Sequence, residues 1–256
     1  MKALLDMDIL VYRVGFTTQE VDVGVAQWRM DDLVNRLLEQ TSATSYQGFL
    51  TESKDKTAYR QLIYPQYKLN RKAPRPVHYT SLREHLVSVW GAIIVKEIEA
   101  DDAIGIASVD SHPNTIVSID KDLLQIAGLH YNFVKEEFTT VDKEGGNRFF
   151  YHQMLTGDKA DNVKGIHRCG PVGAENILVN GSCEEEWFNL VRNTYNDDDD
   201  MFRTGEALWI LKEPRGKATW GWPLMSLQLE TEETGQKEGS ALSLPVQSEV
   251  VSEDGL

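Results

Sequence analysis

Three short aliphatic runs end abruptly in carboxylates, and this limits the chain to few folds. Ala3-Leu4-Leu5 runs into Asp6, Ala92-Ile93-Ile94-Val95 leads toward Glu97 and Glu99, and Thr115-Ile116-Val117-Ser118-Ile119 runs into Asp120. Each run is aliphatic or β-branched and about strand length, as for a sheet buried on both faces. Helical periodicity lies between them, with Leu33, Leu37 and Leu38 apolar in residues 30–39 and a second pattern over 81–89. Strands alternating with helices predict an α/β fold with a mainly parallel sheet. Ligand sites in such folds lie beyond the carboxyl ends of the strands. Acids gathered there point to a metal or phosphate site.

The densest group is Glu97-Ile98-Glu99-Ala100-Asp101-Asp102. Glu99 and Asp102 are three apart and share a helix face, with Asp101 about 100° away. Three acids within four residues repel one another, and Mg²⁺ or Mn²⁺ with their preference for oxygen ligands would relieve that cost. A helix N-terminus would account for Asp101 alone through its dipole, but not for the other acidic strand ends. Those are Asp6-Met7-Asp8 and Asp120-Lys121-Asp122, and Gly157-Asp158-Lys159-Ala160-Asp161 adds two acids again three apart. Four clusters are enough for two ions about 4 Å apart, which stabilise the attacking and leaving oxygens of a phosphodiester displacement.

Basic residues are gathered elsewhere. The stretch from Lys68 to Arg83 carries Lys68, Arg71, Lys72, Arg75 and Arg83 without one acid, and Tyr64, Tyr67 and Tyr79 interleave with them. That mixture suits stacked bases and neutralised phosphates. Pro74 and Pro76 stop a helix from running through. A second candidate is residues 162–178, where Gly165, Gly170 and Gly173 permit a tight turn before a new helix, flanked by Lys164 and Arg168. Backbone N–H groups at such a helix start can meet a phosphate. The pattern is that of a helix–hairpin–helix, which holds a duplex by its backbone and reads no sequence.

The net charge of −14, from 26 Lys+Arg against 40 Asp+Glu, argues at first against a nucleic-acid partner. Its distribution reverses the argument. Residues 184–200 and 227–256 each carry a net −6, whereas Lys54 to Lys96 carries a net +7. Residues 227–256 are Glu-, Ser- and Gly-rich and aromatic-free, which predicts a disordered tail. Residues 150–213 read as helices punctuated by glycine, with no strand. Only Cys169 and Cys183 are present, the N-terminus lacks a signal-peptide pattern, and the longest apolar run, 86–95, is interrupted by Ser88 and Gly91. The expectation is a cytoplasmic protein with no membrane partner.

In order along the chain, these motifs resemble the 5′→3′ exonuclease and flap endonuclease family, most of all its compact phage-encoded members. The resemblance spans roughly residues 2–215 and rests on five elements. These are the Asp6 strand end, Tyr67-Lys68-x-Asn70-Arg71, Glu99-x-Asp101-Asp102, Asp120-Lys121-Asp122-Leu123-Leu124, and Gly157-Asp158-x-x-Asp161-Asn162 leading into the glycine turn. It implies a PIN-like core over 1–149 with a helical arch at about 52–85, a helix–hairpin–helix region over 150–226 and the acidic tail over 227–256. Asp6, Glu99, Asp101, Asp102, Asp120, Asp122, Asp158 and Asp161 would surround two or more Mg²⁺ ions, with Mn²⁺ as substitute. Asp6, Asp101 and Asp102 would be central to catalysis, Lys68 would bind the scissile phosphate with Arg71 beside it, and Tyr67 would stack on a terminal base. Lys72, Arg75, Lys164, Gly165, Arg168, Gly170 and Gly173 would contact DNA, with K⁺ at the glycine hairpin. The implied partners are DNA 5′ ends, flaps or nicks, and RNA–DNA hybrids, bound by a monomer working in the host cytoplasm if phage-encoded, in replication, repair or recombination.

Two departures stand out. The family's further acid before the arch is offered ambiguously by Glu52 or Asp55, and the hairpin reads Gly-Ile-His-Arg-Cys-Gly where relatives often carry Pro-Gly. Asp8 stands where many relatives are uncharged, so its ligand role ranks below that of Asp6. Two other readings are a haloacid-dehalogenase-type phosphatase with Asp6 as nucleophile, drawn from Asp6-Met7-Asp8, and a non-catalytic DNA-structure-binding module. The phosphatase leaves the arch and glycine hairpin unexplained, and the full acid set argues against the silent module.

Overall fold

Strand β1 (Lys2–Asp6) lies at the centre of a six-stranded sheet, and the acids are placed by what flanks it. The computed structural model of the chain describes residues 1–52, 59–111 and 113–214. Asp55, the rest of residues 53–58 and the 227–256 tail lie outside the described residues.

After β1 come α1 (Met7–Thr17), α2 (Val23–Gln40) and β2 (Ser45–Thr51). Then follow α3 (Tyr59–Ile63), α4 (Tyr79–Trp90), β3 (Ile93–Val95), α5 (Ala100–Asp110) and β4 (Asn114–Val117). A 3₁₀ turn over Lys121–Gln125 leads to β5 (Gly128–Asn132) and β6 (Glu137–Val141). The sheet order is β3-β2-β1-β4-β5-β6, with β6 alone antiparallel to its neighbour. The parallel pairs follow from the helical crossovers. β6 pairs by a short hairpin whose turn is held by Asn132, which accepts from the Val134 and Lys135 N–H groups.

Side chains alternate across the sheet as its two-residue period requires. Ala3, Leu5, Leu50 and Val117 face the core built with Val11, Met30, Val34 and Leu82 from α1, α2 and α4. Leu4, Phe49 and Ile116 face the other way, onto Ala103 and Ile104 of α5 and Leu123 of the 3₁₀ turn. Both layers are closed to water, and each fully buried leucine contributes about 1.5–3 kcal/mol. This explains the aliphatic runs of β1 and β4; the third run departs from the expectation, because β3 is an edge strand with Ile93 and Ile94 exposed.

The C-terminal half continues with α6 (Lys143–Thr156), β7 (Gly157–Asp158), β8 (Val163–Lys164), α7 (Pro171–Leu178), α8 (Glu184–Arg192) and α9 (Asp198–Leu208). Two expectations need correction. The division at 149/150 falls inside α6, and the described residues belong to one compact unit. The 150–213 stretch also contains a strand pair, β7–β8, whose two-residue strands are too short to leave a periodic signal. Past α9 the chain returns to the core, where Ile210 N–H donates to Gln125 (3.1 Å) and Leu211 N–H to Asp102 (3.0 Å). Gly105 makes this return possible, since a Cβ there would lie 2.1 Å from the Leu211 carbonyl oxygen.

Candidate active site

The strand order reverses at β1, whose neighbours β2 and β4 lead in opposite directions, and a crevice opens beyond their carboxyl ends. A cavity of about 280 Å³ lies there, lined by Asp6, Asp8, Glu52, Glu99, Asp101, Asp120 and Asp161 together with Lys68, Arg71 and Arg75. Asp6 ends β1 and caps α1, accepting from Ile9 N–H (3.3 Å) and from the Ser118 hydroxyl (2.9 Å). Ser118 also accepts from Asp120 N–H (3.0 Å), so one hydroxyl ties the ends of β1 and β4. Burial and the charge of Asp8 raise the Asp6 carboxyl to about 7.

Asp101 lies in the first turn of α5, on the cavity wall. Burial, and then the charges of Glu99, Asp120 and Asp6, push its carboxyl well above the usual range. Glu99 behaves oppositely. Burial works against its charge, but Lys68 and Arg60 outweigh that and hold the carboxyl down to about 2. The Lys68 ammonium donates to Glu99 at 2.6 Å, and the Tyr67 hydroxyl lies 2.7 Å from Glu99 and 2.8 Å from Asp161. That hydroxyl has one proton, so it serves one of the two acids at a time.

Asp102 departs from the expected ligand set. It is wholly buried, is absent from the cavity wall, and takes both arms of Arg60, with Nη1 to Oδ2 at 2.7 Å and Nη2 to Oδ1 at 2.6 Å. It also accepts from the Glu99 and Leu211 N–H groups, so its acceptor positions are committed inward. The helix-face argument had Glu99 and Asp102 together correctly, but what they share is Arg60, whose Nη1 also reaches Glu99 (3.2 Å) and whose Nη2 donates to the Trp209 carbonyl (2.6 Å). Arg60 was missed because no local pattern marks a partner so distant in sequence.

The basic stretch folds onto the acids. Lys68 has φ +56, and its N–H donates to the Asp161 carbonyl (2.8 Å). Asn70 donates to the Lys159 carbonyl (2.8 Å), Asn162 to that of Gln66 (2.7 Å), and Arg71 pairs with the Asp161 carboxylate. Residues 66–71 are thus latched to the 159–162 turn. Tyr67 is only 2% exposed, with Lys68 (4.8 Å) and Arg60 (5.9 Å) over its ring. Its face is therefore not available to a base here, contrary to the stacking expectation, because its hydroxyl is drawn inward by the two carboxylates. Arg71, Lys72 and Arg75 remain exposed, and Arg75 stacks on Tyr79 (4.5 Å).

The remaining acids divide. Asp122 and Asp158 do not line the cavity; they form an adjoining pair around Lys121, which is 2.5 Å from Asp158 and 3.3 Å from Asp122. Burial and Asp120 raise Asp122 to about 6. Burial opposes the charge of Asp158, but Lys121 and two backbone N–H groups lower its carboxyl. Asp8 lines the cavity while held by Arg83 (2.7 Å) and by Thr51 N–H (2.9 Å), so it joins α1 to α4 and β2. Glu52 is on the wall; Asp55 lies outside the described residues.

In the glycine turn, Gly165 is used for packing. A Cβ there would meet Gly157 N at 2.3 Å, which seats β8 against the end of α6. Gly170 caps α7 with open space around it, Gly173 faces Cys169, and Lys164 and Arg168 are exposed beside them. The start of α7 is therefore accessible.

Oxygen donors on one wall, two of which (Asp6 and Asp101) have carboxyls raised by burial and then by neighbouring acids, suit a hard divalent cation. Among the described residues no three already stand in a coordinating arrangement, with Lys68 and Arg71 holding Glu99 and Asp161. Among the described residues, Asp6, Asp101 and Asp120 line the cavity without an ion pair to a basic side chain, so a cation could reach them without displacing one.

Residues 2–154 match the family model described as 5′-3′ exonuclease, N-terminal resolvase-like domain. The chain is 30% identical over 140 residues to flap endonuclease Xni of a Shewanella species, covering 48% of this chain and 54% of that one. It is 25% identical over 171 residues to the exonuclease of Escherichia phage T7, covering 62% and 54%. The matched regions thus span about half the length of these relatives. A bacteriophage T5 protein co-crystallised with metal ions superposes with a TM-score of 0.62 at 16% identity, over 81% of this chain and 89% of that one. The T5 flap endonuclease in a pseudo-enzyme-product complex with DNA and metal ions gives 0.59 at 16%, over the same shares. At such identity the superpositions establish the fold.

Proposed function

The chain belongs to the 5′-3′ exonuclease family, and on that premise we propose that it is a metal-dependent, structure-specific 5′ nuclease that hydrolyses phosphodiester bonds of DNA. The observation that carries this reading is one cavity at the sheet's switch point with Asp6, Asp101 and Asp120 on its wall and Lys68, Arg71 and Arg75 facing them. Acids alone would repel a phosphate, and bases alone would bind it without chemistry.

Asp6, Asp101 and Asp120 would hold the divalent cations, Mg²⁺ or Mn²⁺, with Glu99 and Asp161 joining once their present partners turn away. Asp122 and Asp158 would extend the set on the adjoining side. Cations bound there supply Lewis-acid charge and lower the pKa of attacking water. The chain's own residues do the rest. Lys68 and Arg71 turn from Glu99 and Asp161 to the phosphoryl oxygens and offset charge that develops there. Tyr67 orients the two carboxylates through its hydroxyl. Asp8, fixed by Arg83 and Thr51, shapes the rim. No protein nucleophile is required, and the phosphatase alternative gains nothing, since Asp8, its second acid, is engaged by Arg83.

The accessible start of α7, with Gly170, Gly173, Lys164 and Arg168, would hold duplex backbone, with K⁺ as a bridging ion, and a monomer meets these needs. The substrates are DNA 5′ ends, nicks and flaps, in replication, repair or recombination. The deciding experiment sizes products from 5′-labelled flap, nicked and RNA–DNA hybrid substrates in Mg²⁺. Mononucleotides mean exonuclease action and an intact released flap means endonuclease action. Wild-type activity surviving in the Asp6→Asn/Asp101→Asn double variant would refute the assignment.

A further inference from the structure

Arg60 is 1% exposed and Asp102 not at all, so two opposite charges have been taken fully out of water. A buried pair of this kind is a poor source of stability, because desolvation cancels most of the attraction and an apolar pair of similar volume does as well. The guanidinium, however, makes two contacts beyond Asp102. Nη1 reaches Glu99, which lines the cavity, and Nη2 reaches the Trp209 carbonyl. The other side-chain groups on Glu99 are Tyr67 and Lys68, both from the segment latched across the acids. Of these, Lys68 is the one that must turn away when a phosphate arrives. Arg60 approaches from the interior side and need not move.

We propose that Arg60 is a positioning residue that holds Glu99 in place while Lys68 exchanges between Glu99 and the phosphate, and that it withholds Asp102 from the cation-binding set. This rests on the nuclease reading given above. It also makes the base of the 59–71 segment and the acid wall one rigid unit, since α3, the start of α5 and the Trp209 carbonyl all converge on one planar group. A lysine could not replace it, because one ammonium cannot span the bidentate carboxylate and both further acceptors.

The test uses the full chain with Arg60→Met/Asp102→Leu, which removes both buried charges together, and Arg60→Lys. The double variant is expected to fold but to melt about 5–15 °C below the parent, because the Glu99 and Leu211 N–H groups lose their acceptor while the buried charges are removed together. Its kcat on a 5′-flap substrate should fall about 10²-fold, from misplacement of Glu99, with KM within about twofold. Calorimetric titration with Mn²⁺ should give the same number of sites as the parent, because Asp102 is outside the set. A folded double variant with kcat within about threefold of the parent would overturn the positioning role, and lost Mn²⁺ sites would overturn the exclusion of Asp102. If the double variant does not fold, Arg60→Lys decides, with a kcat loss at unchanged KM expected and an unchanged kcat refuting. If neither folds, Arg60 is a structural residue and the proposal falls. A parent chain that binds Mn²⁺ but cleaves no flap, nick or hybrid would instead sink the nuclease reading.

Discussion

Replacing Asp6 with asparagine should stabilise the metal-free protein at neutral pH, against the usual outcome for a buried polar residue. Asp6 is 4% exposed, and burial with the charge of Asp8 takes its carboxyl from 3.8 to about 7. A folded-state pKa above the unfolded one means that the fold favours the protonated acid. Its relative contribution is intact below pH 3.8 and is lost as pH rises toward 7. The loss amounts to about 2 kcal/mol at pH 5.5 and about 4 kcal/mol at pH 8. Asparagine is neutral throughout and keeps its oxygen for Ile9 N–H, while its NH₂ takes the place of the oxygen that accepts from Ser118, whose hydroxyl can rotate to accept instead. Urea unfolding in EDTA, run at intervals from pH 4 to 8.5, should show Asp6→Asn level with the parent at pH 4. Its advantage should then grow to about 4 kcal/mol at pH 8. Excess Mg²⁺ should narrow the gap, because the parent gains more from the cation. A pH-independent difference, or an asparagine variant less stable than the parent at pH 8, would show that burial and the neighbouring charge of Asp8 do not disfavour the ionised Asp6.

Other expectations are shorter. Glu99→Gln should carry the opposite sign, losing stability above about pH 4.5 where the parent's carboxylate is held by Lys68 and Arg60, again read by urea unfolding. Tyr67→Phe keeps the ring but loses the hydroxyl, so turnover should fall about tenfold or more in single-turnover cleavage, whereas a base-stacking role would leave it unchanged. Lys68→Met should cost about 10²–10³ in cleavage rate while Mn²⁺ titration shows equal or tighter binding, since Glu99 is released. Gly105→Ala should destabilise by about 1–3 kcal/mol through the clash with the Leu211 carbonyl, measured by denaturant midpoint.

The fold was legible because the buried parallel strands β1 and β4 write themselves as aliphatic runs, the exposed edge strand β3 happens to do the same, and their carboxyl ends were marked by Asp6, Glu99 and Asp120. Asp6, Asp101 and Asp120 were brought to one cavity, as strand topology requires. Asp102 was not, since three-residue spacing says which side chains share a face but not which face meets the solvent. Arg60 gave no signal at all, because its partners are 39 and 42 residues away and one buried arginine in a basic stretch looks like any other. Tyr67 misled for a related reason. An aromatic among bases reads the same whether its ring meets a nucleotide or is drawn inward by two carboxylates. The 149/150 division failed because glycine punctuation marks turns, and α6 runs across the change of composition.

The return of Trp209–Leu211 to the core also sets a schedule for synthesis. Leu211 reaches Asp102 across 109 residues, so at about 5–20 residues per second the ribosome needs about 5–20 s to deliver the last contact after the acid is made. Until then Arg60 has no Trp209 carbonyl to bind, and the gap above Gly105 stands open. A nascent chain therefore carries its acids for some time before the backbone that completes the Arg60–Asp102 arrangement is made.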